Sequence, residues 1–385
     1  MSHVSAAQQL HDATPADAVV VQGSAQRNIR AMLAQAGALE AGYAQQAAAL
    51  APPPDPTTRR DAQNTTDPAM LGRIAGTIAS DMQGVNGGAG QENGQGVHYR
   101  TMEFPAAVNA QIDRHATATG QSFGHVKNVL YRAGYADGAY FQSCSAQGMG
   151  VRFRYVLKPG VSAFDAVHAF VAGFTVADCA STAMGIQLRA VAVEMGREAF
   201  DRKFNNWKGP FIAQQVQSTP MATVASAHAP ATTADAADPN VGIVRSGGKS
   251  WPVRVGDKAY MMNHKDYITL EPDGLWSGEH VLCVGMSGEG ADRVPLWEGF
   301  GLSAQTAEAM MTSLCEAYTG AALRDAGYLK THLNARNNGS NEGVLGEKLA
   351  ARFKDPAGEA GLKIGSDMLY SWRIDTAKVA AATRS

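Results

Sequence analysis

From Ile186 to Val193 almost every position around the helical turn is apolar, and Met195 extends the run. A helix without a polar face has to lie inside a core, so this one is expected to be central and buried. The chain before it reads as a feeder. Val151, Phe153, Tyr155 and Leu157 alternate with Arg152 and Arg154, the two-residue period of a strand, and Pro159-Gly160 ends it. Ser162 then opens a helix with Asp165 in the reciprocal capping position and Phe164, Val167 and Val171 on one stripe. Gly173 is expected to close that helix in a left-handed cap.

Cys179 stands where the central helix begins, directly after Asp178. A thiol there faces unpaired backbone N–H groups and the positive end of the helix dipole, which favour thiolate over thiol. Cys179 is therefore a candidate nucleophile, and a small buried packing residue is the competing reading. The other cysteines, Cys144, Cys283 and Cys315, fall on apolar patterns or near turns and read as packing residues. The four lack C-x-x-C spacing, which argues against a zinc knuckle or a thioredoxin-type motif, and their wide separation favours reduced thiols over a disulfide framework.

Strands resume after the helices. They are expected over Lys258 to Met262, His280 to Met286 and Val294 to Leu302, with Ser303 capping a helix that carries Ala307, Met310, Met311, Leu314 and Tyr318. Helices first and antiparallel strands afterwards indicate an α+β fold. Residues 1–97 read as a largely disordered Ala/Gln/Gly-rich leader, because alanine cannot build a core and Gly84 to Gly96 is too glycine-rich to hold one conformation. The same glycine run lacks a preceding strand and a following Lys-Ser/Thr, so it is no phosphate loop. Residues 217–240 contain no Lys, Arg or aromatic residue and read as a flexible insertion, and 336–385 as a helical tail behind a catalytic domain over 98–335.

Thirty-three Lys and Arg against 35 Asp and Glu leave a formal net charge of −2, so no strong field points to nucleic acid or an anionic membrane. No apolar run approaches a membrane span, and Met1 to Gly23 lacks the pattern of a Sec signal. The protein is expected to be cytoplasmic as made, with export only through a specialised secretion system.

A nucleophilic thiol needs an acid or base, and three carboxylates stand near: Asp178 itself, Glu279 in Trp276-Ser-Gly-Glu-His-Val281, and Glu298 in Leu296-Trp-Glu-Gly-Phe-Gly-Leu302. Several further blocks occur in a suggestive order: Phe153-Arg-Tyr155, Phe170-Val-Ala-Gly173, Asp178-Cys-Ala-Ser-Thr-Ala183, Phe200-Asp-Arg-Lys-Phe204, Val255-Gly-Asp-Lys-Ala-Tyr260 with Asn263, Trp276-Ser-Gly-Glu279 with Val281, Gly299-Phe-Gly301, and Ala322 to Leu329. Together they resemble the small calcium-independent transglutaminases of bacterial spore coats, over roughly 140–335.

The resemblance implies a papain-like core, no metal or organic cofactor, and a thioester formed on Cys179 from a protein glutamine and resolved by a lysine amine. Its partners would be protein substrates, a glutamine donor and a lysine acceptor. Glu279 matches the family's catalytic carboxylate, and Asp178 stands where the family has a glutamate. The family's histidine is missing: Glu298 occupies its place in Trp297-Glu-Gly-Phe-Gly301. Two carboxylates beside one thiol would push their pKa values apart, one serving as acid and one as base.

His280 adjoins Glu279, but neighbours on a strand point to opposite faces, so both enter one pocket only through a bulge. His264 reads as a loop residue and His168 as structural. Trp276, Trp297 and Asn263 are candidates for substrate contact, although a tryptophan beside a strand is as readily a packing residue. Met261-Met262 and Met310-Met311 read as core filler.

Two other functions stay open on the same residues. One is a glutamine deamidase or cysteine hydrolase, and the other is a binding protein that keeps the scaffold without catalysis. The long leader fits an exported effector, whose partners would include secretion machinery or an immunity protein, and equally a coat-assembly tether.

Overall fold

In the computed structural model the described residues are 67–86, 95–99, 104, 106–144, 153–233, 235, 238, 240–246, 248–263, 278–288, 290–311, 313–314, 361–365 and 371–385. The central helix of the sequence reading is α5 (Cys179–Met195), and all its residues from Ala180 to Leu188 are buried. Ile186, Leu188 and Val191 are fully enclosed, each contributing about 1.5–3 kcal/mol by burial. Val193 departs from the all-round apolar expectation, since it is 45% exposed. Arg189 also breaks the pattern and pairs with the buried Asp81.

Asp81 belongs to α1 (Pro68–Val85), which corrects the expected domain start at 98. Asp67 caps this helix by accepting from Ala69 and Met70, and Ile74, Ile78, Met82 and Val85 enter the same core as α5. Part of the segment read as leader is thus folded, because its sparse larger apolar residues recur at helical spacing. Residues 1–66 lie outside the described residues.

On another side of α5 lie α4 (Ala163–Ala172) and α6 (Arg197–Phe204), with Phe170 and Phe200 buried among them. Ser162 caps α4 as expected, but Asp165 turns to Arg197 at 2.6 Å and not back to the cap. Gly173 ends α4 with φ −84°, so the left-handed cap does not form. Glycine is needed there for clearance, since a Cβ would meet the Ala169 carbonyl oxygen at 2.6 Å.

The strand expected around Phe153 is β3 (Arg154–Leu157), antiparallel to β2 (Phe141–Cys144) and β5 (Pro210–Ala213). The Tyr155 hydroxyl donates to the Val176 carbonyl at 2.8 Å, tying this sheet to β4 (Thr175–Ala177), which pairs in parallel with β1 (Val97–Tyr99). Helices α2 (Ala106–Thr119) and α3 (Phe123–Ala133) pack a smaller cluster against Val176.

The main sheet is antiparallel, in the order β12-β11-β10-β9-β13. Its strands are β9 (Lys258–Met262), β10 (Gly278–Ser287), β11 (Val294–Gly299), β12 (Leu302–Thr306) and β13 (Gly361–Lys363). Leu282 faces the α5 core, while Val281, Cys283 and Trp297 face a second cluster with Met310 and Leu314. The strand expected over 294–302 turns back at Phe300-Gly301, where Gly301 has φ +75°. Ser303 consequently lies within β12, and Thr306 Oγ1 accepts from Ala309 at the start of the next helical run.

Two further boundaries shift. Within the expected insertion 217–240, Met221, Val224 and Ala225 are buried, and β6 (Ala225–Ser226) pairs with β14 (Arg373–Ile374). The expected tail is also part of the fold: β13 edges the main sheet, Trp372 is fully buried, and α8 (Thr376–Arg384), with Met221–Val224 counted as α7, packs on α5 and α6. Alanine-rich stretches hid both, because their few anchoring side chains find partners far away in sequence. Among the described residues no helix is long and apolar enough to cross a membrane.

Candidate active site

Strand β4 runs straight into the site. Its three residues are buried and held by β1, and they deliver Asp178 as the N-cap of α5 and Cys179 as its first residue. Asp178 accepts from the Ser181 N–H at 2.7 Å, and Thr182 Oγ1 donates to the Asp178 carbonyl at 2.8 Å. The cap fixes where the sulfur points, and it places a carboxylate beside it.

Glu279, near the start of β10, receives the Cys179 thiol as a hydrogen-bond donor and accepts the Phe300 N–H on Oε1 at 2.9 Å. A Cβ on Gly299 would come within 2.6 Å of Glu279 Cγ, so glycine at 299 is what lets the carboxyl lie across β11. The His280 backbone N–H donates to the Cys179 sulfur. Its ring goes elsewhere, with Nδ1 at 2.6 Å from Lys258 Nζ and the ring centroid 4.7 Å from that of Tyr260. The strand alternation expected for Glu279 and His280 thus separates their side chains, while the His280 main chain still reaches the thiol.

Lys258 is fully buried at the start of β9, with Nζ 4.0 Å from the centre of the Trp372 ring. Trp372 donates through its indole to Gln187 of α5 at 2.8 Å, and Gln187 donates to the Gly256 carbonyl at 2.7 Å. A polar thread therefore runs from the helix through the C-terminal segment to the lysine.

The electrostatics oppose the simple helix-dipole expectation for Cys179. Burial first, then the charges of Glu279 and Asp178, hold the thiol well above its ordinary pKa, against the pull of the His280 N–H and Lys258. Burial pushes Glu279 up to about 8, so its carboxyl carries a proton at neutrality. Burial pulls Lys258 down to about 7, against the raising influence of Cys179, Asp178 and Glu279. His280 is held well below the usual histidine range by burial and by Lys258. The resting site holds a thiol, a carboxylic acid and an amine near its midpoint.

Glu298, expected in the histidine's place, is not brought to the thiol. It pairs across the sheet with Leu282, and its Oε1 accepts from Asn86 Nδ2 at 2.8 Å. Neighbouring strand residues face opposite ways, so with Gly299 against Glu279, Glu298 points elsewhere. Burial raises its pKa against the Asn86 hydrogen bond. Trp297 is fully buried among Val281 and Cys283 and cannot line a groove, and Asn263 is buried with Nδ2 donating to the Leu314 carbonyl at 2.9 Å.

His168 stacks on Phe164 and bonds its carbonyl, in keeping with a structural role. Cys283 is fully buried in the second cluster, and burial pushes its thiol far up. Trp276, His264, Cys315 and the side chain of Cys144 lie outside the described residues. Among the described residues no group of three His, Cys, Asp or Glu side chains could hold a metal ion.

Lys258, Asn86 and Trp372 are the site-building residues that sequence reasoning passed over. A lysine sharing one strand face with Tyr260 and Met262 was a legible signal for the first. The other two carry no local signal.

No family model matches the sequence, and no curated protein matches it. Among solved structures the chain is similar to the "Transglutaminase from Geobacillus stearothermophilus (without C-terminal extension)", with a TM-score of 0.38 and 12% identity, covering 83% of this chain and 98% of that one. Likeness at that level does not extend to activity, which has to be argued from the side chains around Cys179.

Proposed function

We propose that the protein is a cysteine-dependent acyltransferase on protein glutamine side chains, a transglutaminase on a papain-like core. The observation that carries this reading is Cys179 at a helix start, with the Glu279 carboxyl and the His280 N–H both against its sulfur. Such a site can form and break a thioester without a cofactor.

Cys179 Sγ attacks the carboxamide carbon of a glutamine. The departing nitrogen takes the Glu279 proton and leaves as ammonia, so Glu279 acts as general acid. The carboxylate left behind then takes a proton from the lysine amine that attacks the thioester, and the isopeptide bond forms as Cys179 is released. If water attacks, the same steps give glutamine deamidation.

The decisive experiment is incorporation of a fluorescent amine into casein, with ammonia followed in parallel. Transfer predicts both signals in the wild type and neither in Cys179→Ala. Ammonia without amine incorporation would reassign the protein as a deamidase, and neither signal would leave the binding scaffold.

A further inference from the structure

In these steps the thiol proton of Cys179 needs a temporary acceptor while the sulfur attacks. Cys179 is a thiol at rest, Glu279 already holds its proton for the leaving nitrogen, and Glu298 is turned to Asn86. Some other group has to receive the thiol proton before attack.

We propose that the buried Lys258–His280 pair is that acceptor, taking the place of a catalytic histidine. Lys258 Nζ and His280 Nδ1 lie 2.6 Å apart, within hydrogen-bond distance, so the imidazole can accept from the ammonium that forms. The pair is enclosed: Lys258 is fully buried, His280 almost so, and the Trp372 face lies 4.0 Å from Nζ, ready to stabilise an ammonium. His280 lies between the two, with its backbone N–H toward the sulfur and its ring on the lysine, and Lys258 is near enough for its charge to act on Cys179.

The titratable and charged groups around the pair come from every neighbouring element. Cys179 and Asp178 belong to α5, and Glu279 to β10. Tyr260 of β9 stacks on His280, and the His228 ring approaches the Lys258 carbonyl at 3.4 Å. Asp257, next in the chain, is taken up by Arg373 at 2.9 Å. The groups that act directly on Lys258 are thus anionic or become so during the reaction, and burial leaves the lysine neutral often enough to work as a base, near pH 7.

The cycle balances. The S–H proton moves to the pair, giving a thiolate and an ammonium. The thiolate adds to the carboxamide, Glu279 protonates the amide nitrogen so that it leaves as ammonia, and the thioester remains beside an ammonium–carboxylate pair. The incoming amine then gives its proton to Glu279, and the sulfur leaves as thiolate and recovers its proton from Lys258. Every group ends as it began.

This inference rests on the proposed chemistry at Cys179, and thiol alkylation separates the two. Iodoacetamide labelling of Cys179 would be followed from pH 5.5 to 9.5 on the full chain, with circular dichroism to confirm folding and amine incorporation assayed separately. For the wild type, labelling should rise with pH through about 7, where Lys258 gives up its proton and can receive that of the thiol. Lys258→Met should lower it at least tenfold and displace its rise upward by at least one pH unit.

His280→Leu, which leaves the lysine but removes its partner, should move the rise to lower pH. It serves as the deciding variant if Lys258→Met does not fold. A reactive wild type with an unmoved profile in a folded variant overturns the role of the pair and leaves the acyltransferase standing. A wild-type thiol that takes no label up to pH 9.5 overturns both.

Discussion

Asn86 Oδ1 accepts the Gly301 backbone N–H at 2.7 Å. The same side chain donates to Glu298 at 2.8 Å, to the Gly299 carbonyl at 2.9 Å and to the Leu302 carbonyl at 3.2 Å. Asn86 is the C-cap of α1, so one residue pins the β11–β12 turn to the end of that helix. The turn carries Phe300, whose N–H holds Glu279 and whose ring lies 5.1 Å from that of Tyr99. Asn86→Ala should therefore cost about 1–3 kcal/mol of stability, since it leaves buried partners unsatisfied. It should also lower kcat for amine incorporation more than it raises KM, and urea unfolding with steady-state kinetics on one preparation would check both.

Gly299→Ala tests the approach of Glu279 directly. The added methyl would collide with Glu279 Cγ at 2.6 Å, and φ at this position is not in the left-handed region, so strain elsewhere in the turn is not expected. The carboxyl must shift off the thiol. Amine incorporation should fall by about tenfold or more, in line with losing a positioned acid, while iodoacetamide labelling of Cys179 persists. Equal loss of both would place the damage in the turn and not in the acid.

The pH dependence of transfer follows from which forms work. Lys258 must be neutral to take the thiol proton, so the rate should rise with pH through about 7. Glu279 must be protonated to release ammonia, so the rate should fall beyond about 8. A narrow bell is expected, and its limbs belong to the coupled set of groups. Glu279→Gln should abolish transfer and spare labelling of the thiol. A rate that climbs steadily to pH 9.5 would remove Glu279 as the acid.

Stability should carry its own pH dependence from a residue outside the site. Burial holds His228 down at about 4, below its ordinary 6.5, with Asp257 pulling it the other way. A depressed folded pKa means that the unfolded chain binds the proton first as pH falls. Stability present above 6.5 is then lost on the way down to about 4, by at most about 3 kcal/mol. Urea midpoints at pH 7 and pH 4.5 measure the loss, and His228→Phe should flatten it.

Much of the site was legible because its local signals agree with its long-range contacts. An apolar run with an Asp-Cys start has one natural placement, and Lys258 to Met262 is a strand in both readings. What was hidden depended on partners distant in sequence. The turn at Phe300-Gly301 shortened an expected strand and turned Glu298 toward Asn86, a residue inside a stretch that looked too sparse to fold. The helix dipole pointed to a thiolate at Cys179, but burial and then the charges of Glu279 and Asp178 raise its pKa, and those depend on how the sheet lies against the helix.

Trp372 shields Lys258, bonds Gln187 and exchanges backbone hydrogen bonds with Lys258, while the strand and helix that follow it bind β6, α5 and α6. During synthesis the newest part of a chain is still inside the ribosome when earlier parts begin to fold. Cys179 is therefore made long before the residue that completes its surroundings. A nascent chain holds the thiol but not the enclosed amine, so the chemistry proposed for Cys179 would begin only once translation has passed Trp372 and released it to dock.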